Sequence, residues 1–87
     1  MKGDDSIEIN LIGSNCSNGR RLKKIIERVS LENKTKIIIN ELNTKASKEK
    51  YNISMIPALV IDNRIISQGK ILSVKEIKRL IVNPVNS

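Results

Sequence analysis

The first apolar segment of the chain alternates with polar residues and ends at a glycine. It runs from Ile7 to Ile12, reads IEINLI, and is followed by Gly13. A period of two that stops at glycine predicts a short β-strand. After turn and cap residues at 15–18, the spacing of one helix face recurs at Leu22, Ile25, Ile26 and Val29. These residues predict a first helix over about 19–30, with its apolar stripe in the core.

The next two segments predict a strand and a short helix. Residues 36–40 read KIIIN, a β-branched run too short for a helix, which predicts a strand covered on both faces. A strand, a helix and a second strand form a βαβ unit, so we expect parallel pairing and a right-handed crossover. Residues 44–51 predict a short helix capped by Thr44, and Asn52 suits the left-handed conformation that ends helices.

The following segment predicts an antiparallel hairpin. Residues 56–61 read IPALVI and predict a strand opened by Pro57, because proline is tolerated at the first position of a strand. The pair Asp62-Asn63 predicts a two-residue hairpin turn. The returning strand covers residues 64–67 and is broken by Gly69, so the sheet is mixed.

A capping box predicts the last helix. Ser73 and Glu76 have the spacing of this motif, and Leu72 and Ile77 have that of a hydrophobic staple. The helix covers about 74–82, stops at Asn83-Pro84, and buries Ile77, Leu80 and Ile81. The element order is therefore β-α-β-α-β-β-α. It predicts an α/β fold with a central four-stranded mixed sheet flanked by helices.

Length and composition limit the chain to one small domain. Its 87 residues suffice for one core, which we place at about 6–82 of a single domain over 1–87. Tyr51 is the only aromatic residue, and the sequence contains no histidine. One cysteine cannot form an internal disulfide, and neither a signal peptide nor a membrane-spanning segment is visible. We therefore expect a cytoplasmic protein without membrane attachment.

The chain is basic, with 16 Lys and Arg against 9 Asp and Glu and a formal charge of +7. These charges are spread over the outer faces of the predicted helices, and no aromatic residues lie among them to stack on bases. Solvated helix faces explain the charges better than a nucleic-acid site. A polyanion-binding surface, whose affinity would fall steeply with salt, is our third function hypothesis. We expect a monomer and no nucleic-acid partner.

The single cysteine, Cys16, lies where the first strand gives way to the first helix. Unpaired N–H groups and the positive end of the helix dipole favour a thiolate at such a turn, and Arg20 and Arg21 add positive charge. A lone cysteine can instead be a small buried residue, but the neighbours Asn15 and Ser17 are polar turn formers, which favours exposure. Without histidine or a second thiol, we expect neither a metal site nor a cysteine-protease nucleophile.

Two stretches of the chain resemble the thioredoxin-like superfamily, and specifically its small, glutaredoxin-sized redox-active disulfide proteins. They are Gly13-Ser14-Asn15-Cys16-Ser17-Asn18-Gly19-Arg20 and Tyr51-Asn52-Ile53-Ser54-Met55-Ile56-Pro57-Ala58-Leu59-Val60-Ile61-Asp62-Asn63. The resemblance extends from Ile7 to Val82 and implies a thioredoxin-like fold. It also implies that the Ile56–Pro57 bond is cis, that Pro57 lies beside the thiol, and that Ile56 and Pro57 bind an extended substrate or glutathione.

The chain departs from that family at Gly19, where dithiol members have a second cysteine that resolves the mixed disulfide. Three interpretations stay open: a monothiol enzyme resolved by an external thiol, a redox-degenerate binding module, and a dithiol ancestor that lost a cysteine by evolution or engineering. The enzyme hypothesis is a thiol–disulfide oxidoreductase with Cys16 as nucleophile. Its thiolate would be stabilised by Ser17, Asn18, Gly19, Arg20 and Arg21.

No resident cofactor is expected, and glutathione is the candidate thiol co-substrate. The partners of the enzyme would be protein thiols and disulfides. The competing hypothesis is a non-catalytic interaction module that binds an extended peptide in the groove at Pro57. The two hypotheses differ in whether Cys16 forms a mixed disulfide.

Overall fold

The computed structural model describes residues 6–82. Among these residues it contains, in chain order, β1 (Ile7–Ile12), α1 (Ser17–Glu32), β2 (Ile37–Leu42), α2 (Thr44–Tyr51), β3 (Ala58–Ile61), β4 (Arg64–Gln68) and α3 (Val74–Val82). The order is the one that the sequence predicts, and the α/β fold class is confirmed. The predicted stop at Asn83-Pro84 lies outside the described residues.

The four strands form one mixed sheet in the order β2-β1-β3-β4. Strand β1 pairs in parallel with β2 and antiparallel with β3, and β3 pairs antiparallel with β4. The second strand, predicted to be covered on both faces, is covered only in part: Ile37 and Ile39 pack against one apolar cluster and Leu42 against the other. It lies at the edge of the sheet, none of its side chains is fully buried, and Glu41 is exposed. The β-branched run therefore identified the strand but not its place in the sheet, where it has a paired neighbour, β1, on one side only.

Two apolar clusters cover the two faces of the sheet. The larger lies between the sheet and helices α1 and α3, and it contains the predicted helix residues Leu22, Ile26, Val29, Ile77 and Ile81. Ile25 and Leu80 are half-buried against it. The smaller lies on the opposite face, toward α2 and the loop before β3, and its buried members are Ile12, Ile53, Ala58 and Val60.

The first helix begins earlier than predicted, and the second has the predicted bounds but a different capping residue. Helix α1 begins at Ser17 because Cys16 is its N-cap, so residues 17 and 18 belong to the first helical turn. Helix α2 is capped by Asn43 rather than Thr44, since the Asn43 side chain accepts the N–H of Ala46 at 2.9 Å. Its end at Asn52, in the left-handed conformation, agrees with the prediction.

The hairpin and the last cap follow the sequence closely. Asp62 and Asn63 have φ angles of 53° and 63°, as a two-residue turn of the primed type requires. The capping box is formed, because the Ser73 N–H donates to Glu76 Oε1 at 2.9 Å and the Glu76 N–H donates to Ser73 Oγ at 3.1 Å. Strand β3 starts one residue after Pro57, and β4 runs through Gln68.

Candidate functional site

The site is built around the carbonyl group of Gly13, the residue that follows β1. Gly13 is buried and has a φ angle of +85°, which a residue with a side chain rarely adopts. Its oxygen accepts the backbone N–H of Cys16 at 3.4 Å and the thiol of the same residue at 3.0 Å. The turn therefore holds Cys16 against Gly13, the residue that follows β1, through both its backbone and its side chain.

The sulfur of Cys16 is half-buried and makes a second hydrogen bond. It accepts the backbone N–H of Gly19 at 3.3 Å and so acts as the N-cap of α1. The sulfur therefore lies at the N-terminus of α1, between one backbone donor and one backbone acceptor. A thiolate would keep the bond from Gly19 and lose the one to Gly13, since it has no proton to donate.

The other residues proposed to stabilise the thiolate donate no hydrogen bond to the sulfur in the described part of the chain. Within residues 6–82, the one backbone or side-chain donor to Cys16 Sγ is the Gly19 N–H. The guanidinium of Arg20 instead donates to the carbonyl of Asn15 at 3.3 Å. The remaining three, all exposed, are Ser17, Asn18 and Arg21. Any contribution from them to the charge on sulfur is through space.

The loop before β3 meets the same glycine from the other side. A Cβ built on Gly13 would lie 2.7 Å from Ile56 Cβ, so Ile56 packs directly on the Gly13 backbone. The Ile56–Pro57 peptide bond is cis, and the ring of Pro57 is fully buried. Gly13 thus brings Cys16 and Ile56 together, while the buried ring of Pro57 offers no surface to a ligand.

The peptide groups of Ile56 are available for pairing. The carbonyl of Pro57 is occupied, since it accepts the N–H of Gly69 at 2.9 Å. Within the part of the chain that the structure describes, neither the N–H nor the carbonyl of Ile56 has a hydrogen-bond partner. An unpaired donor and acceptor on a residue that packs on Gly13 are what an extended peptide would need in order to add one strand-like residue pair.

A family model described as "Thioredoxin domain" matches residues 6–82, which is most of the chain. The chain belongs to this family. Among curated proteins, no match to the chain is found. The thioredoxin domain accounts for the order of the strands and helices and for the position of the cysteine turn beside the loop before β3.

The turn of this thioredoxin domain is closely packed at Gly19, three residues after Cys16. Gly19 is buried, and a Cβ built on it would overlap the carbonyl oxygen of Gly13 and lie 2.9 Å from Ser14 Cα. Real Cβ atoms do not approach backbone atoms this closely, so any side chain at residue 19 requires the backbone to shift. The absence of a second thiol is therefore matched by the packing of the turn.

A charged contact that the sequence did not indicate ties the turn to β2. Glu41 accepts a hydrogen bond from Lys23 Nζ at 2.7 Å through one oxygen and from Ser14 Oγ at 2.7 Å through the other. The contact with Lys23, and then that with Ser14, lowers the pKa of Glu41, and Glu41 in turn raises the pKa of Lys23. The strand register could have suggested it, because Ser14 and Glu41 lie near the same ends of neighbouring parallel strands.

Two further observations concern metal binding and membrane-spanning helices. Across residues 6–82, there is no cluster of three or more His, Cys, Asp or Glu side chains that could hold a metal ion. None of the helices in that range is both long and apolar enough to cross a membrane.

Proposed function

We propose that this thioredoxin domain is a monothiol thiol–disulfide oxidoreductase that acts through Cys16 on disulfides in extended peptides. The observation that carries the proposal is the double contact of Gly13, which accepts a hydrogen bond from the Cys16 thiol and packs against Ile56. A peptide that pairs with the free groups of Ile56 would bring its own sulfur next to Cys16.

The reaction has two exchange steps. The Cys16 thiolate attacks one sulfur of a disulfide, forms a mixed disulfide with that half, and releases the other half as a thiolate. Because the sequence holds no second cysteine, an external thiol of the glutathione class attacks the mixed disulfide. This second step releases Cys16 as a thiolate and leaves the external thiol joined to the substrate sulfur. Glutathione is thus proposed as a co-substrate.

Two features of the site support this chemistry. The Gly19 N–H and the N-terminus of α1 stabilise the thiolate that attacks and that leaves again in the second step. The close packing of Gly19 against Gly13 favours resolution by an external thiol, since residue 19 cannot carry a sulfur without movement of the turn. A reducing cytoplasm, with protein disulfides as substrates and a monomer as the working form, suits such an enzyme.

The proposal is tested by trapping the mixed disulfide. The protein is incubated with oxidised glutathione, and its intact mass and a peptide digest are measured. We expect one glutathione adduct, located at Cys16, that forms faster in the native protein than in the chain unfolded in urea. Cys16→Ser is the control and should stay unmodified. A native protein that reacts no faster than the unfolded chain would argue against an activated thiol.

A second function has an observation of its own in its favour. The sulfur of Cys16 both donates to Gly13 and accepts from Gly19, so it caps α1 as a serine hydroxyl could. This role suits a non-catalytic module that binds an extended peptide along Ile56. In that case Cys16→Ser would bind a partner peptide as the wild-type protein does, and no mixed disulfide would form in either.

A further inference from the structure

One side-chain oxygen holds the loop that precedes β3. Gln68 is the last residue of β4, and its Oε1 accepts the backbone N–H of Ser54 at 3.0 Å, the Ser54 hydroxyl at 3.3 Å and the backbone N–H of Met55 at 3.2 Å. All three partners are donors here, so only the oxygen of the carboxamide can serve them. Gln68 therefore fixes the two residues before Ile56 to the end of the sheet.

The residue after Gln68 fixes the other side of the loop. The N–H of Gly69 donates to the Pro57 carbonyl at 2.9 Å, which continues the pairing of β3 with β4 by one residue. Gly69 has a φ angle of +73°, and a Cβ on it would lie 2.7 Å from the terminal methyl carbon of Met55. The lack of a side chain at Gly69 thus leaves room for Met55 beside the strand end.

These contacts decide which backbone groups the loop can offer. Proline has no N–H, and the N–H groups of Ser54 and Met55 both point to Gln68. Among residues 54–57, the N–H of Ile56 is left as the single donor without a partner in the described part of the chain. An incoming peptide that accepts a hydrogen bond from the backbone of this loop would therefore take it from Ile56.

We propose that Gln68 is a positioning residue for peptide substrates. By taking up the N–H groups of Ser54 and Met55, it holds the loop so that the N–H of Ile56, the residue that packs on Gly13, is the backbone donor left for a peptide. This inference rests on the proposed exchange reaction, because it concerns how a peptide disulfide is aligned with that thiol. Gln68 does not touch the reacting sulfur atoms; it acts through the loop.

Two substitutions of similar size separate the hydrogen bonds of Gln68 from its packing. Gln68→Met keeps the length of the side chain and removes the acceptor, whereas Gln68→Glu keeps an oxygen acceptor. The disulfide probes are dithiodipyridine, which has no peptide, and a ten-residue peptide whose single cysteine is activated as a pyridyl disulfide. In both cases Cys16 forms a mixed disulfide and releases thiopyridone, whose absorbance gives the rate.

For Gln68→Met we expect the peptide probe to react about fivefold to tenfold more slowly, while the rate with dithiodipyridine stays at the wild-type value. Amide hydrogen exchange at Ser54 and Met55 should become at least about tenfold faster, with Leu59 in β3 unchanged. Gln68→Glu, which keeps the acceptor, should react with the peptide probe at the wild-type rate and keep the wild-type protection of Ser54 and Met55. Equal slowing of the two probes, or full protection of Ser54 and Met55 without the acceptor, would overturn the inference.

The same experiment separates this inference from the proposed function. If the wild-type protein reacts with neither probe, the exchange reaction is wrong, and with it the role of Gln68 in aligning a disulfide. If the wild-type protein reacts with both probes and Gln68→Met leaves the ratio of the two rates unchanged, the exchange reaction stands and the positioning role of Gln68 is refuted.

Discussion

The carbonyl oxygen of Gly13 lies against the Cα atom of Gly19, in space that a side chain at residue 19 would occupy. This contact brings the first turn of α1 down onto the end of β1. It also allows the Gly19 N–H to donate to Cys16 Sγ. A bulkier residue at position 19 would push the first turn of α1 away from the end of β1. Gly19 therefore has a structural role in the site, because its lack of a side chain permits this close packing.

We predict that Gly19→Ala destabilises the protein by about 2 kcal/mol or more, although alanine is the better helix former. The cause is the overlap of the new methyl group with the backbone of residues 13 and 14. Urea unfolding gives the free energy of unfolding. The control is Asn18→Ala, on the exposed neighbour in the same turn, which should change that free energy by less than about 0.5 kcal/mol. A Gly19→Ala variant as stable as wild type would mean that the turn adjusts easily.

The capping role of Cys16 predicts that serine and alanine at this position differ in stability. The hydroxyl of Cys16→Ser can accept the Gly19 N–H and donate to the Gly13 carbonyl, whereas Cys16→Ala can do neither. We expect Cys16→Ala to be about 1 kcal/mol less stable than Cys16→Ser, as for other N-caps. The measurement is the urea midpoint of each variant. Equal stability of the two variants would show that the cap contributes little to stability. Both variants should lack disulfide exchange, because neither has a thiol.

Much of the fold could be predicted because its signals are local. The capping box at Ser73 and Glu76, the hairpin at Asp62-Asn63 and the helix end at Asn52 each depend on residues within a few positions of one another. The position of the cysteine turn at the end of β1 follows from the same short-range patterns. Local chemistry of this kind leaves few alternatives for the backbone, so the sequence determines it well.

The finer structure of the site is harder to predict because it joins residues far apart in the chain. The bond between Ser14 and Glu41 depends on the register of β1 with β2, and the bonds from Gln68 to the loop depend on where β4 ends. A list of basic residues after the cysteine suggested a charged setting for the sulfur. The structure adds the direct contacts, since Arg20 donates to a backbone carbonyl and the sulfur accepts one backbone N–H.

The capping box also predicts a dependence of stability on pH. The backbone N–H of Ser73 is the largest cause that lowers the pKa of Glu76 below its ordinary value of 4.5, and the Ser73 hydroxyl, Lys70 and Arg79 act in the same direction. The folded protein therefore binds fewer protons at Glu76 than the unfolded chain as the pH falls below 4.5. The stabilisation is complete above that value and is lost as the pH falls through the lower, folded pKa.

Glu76→Gln should remove this dependence. We expect the difference in free energy of unfolding between wild type and Glu76→Gln to shrink as the pH falls from about 6 to about 3. Urea unfolding at a series of pH values gives this difference. Glu49→Gln on α2 is the matched control, since it changes the net charge equally and leaves the cap intact. If the two stability curves of wild type and Glu76→Gln run parallel, the carboxylate at the cap does not favour its charged form.

Helix α1 offers a matched pair of leucines, one in its apolar stripe and one outside it. Leu22 has no exposed surface and packs in the cluster between α1, α3 and the sheet, whereas Leu31, near the end of the helix, is 80% exposed. The same Leu→Ala change removes buried contacts in one case and solvated surface in the other. We expect Leu22→Ala to cost about 3 kcal/mol of unfolding free energy and Leu31→Ala less than about 0.5 kcal/mol. Both are measured by urea unfolding at one protein concentration.

A large loss of stability for Leu31→Ala would indicate that Leu31 is covered in solution. Unfolding at a tenfold higher protein concentration would then show whether a second copy covers it, because only association makes the urea midpoint depend on protein concentration.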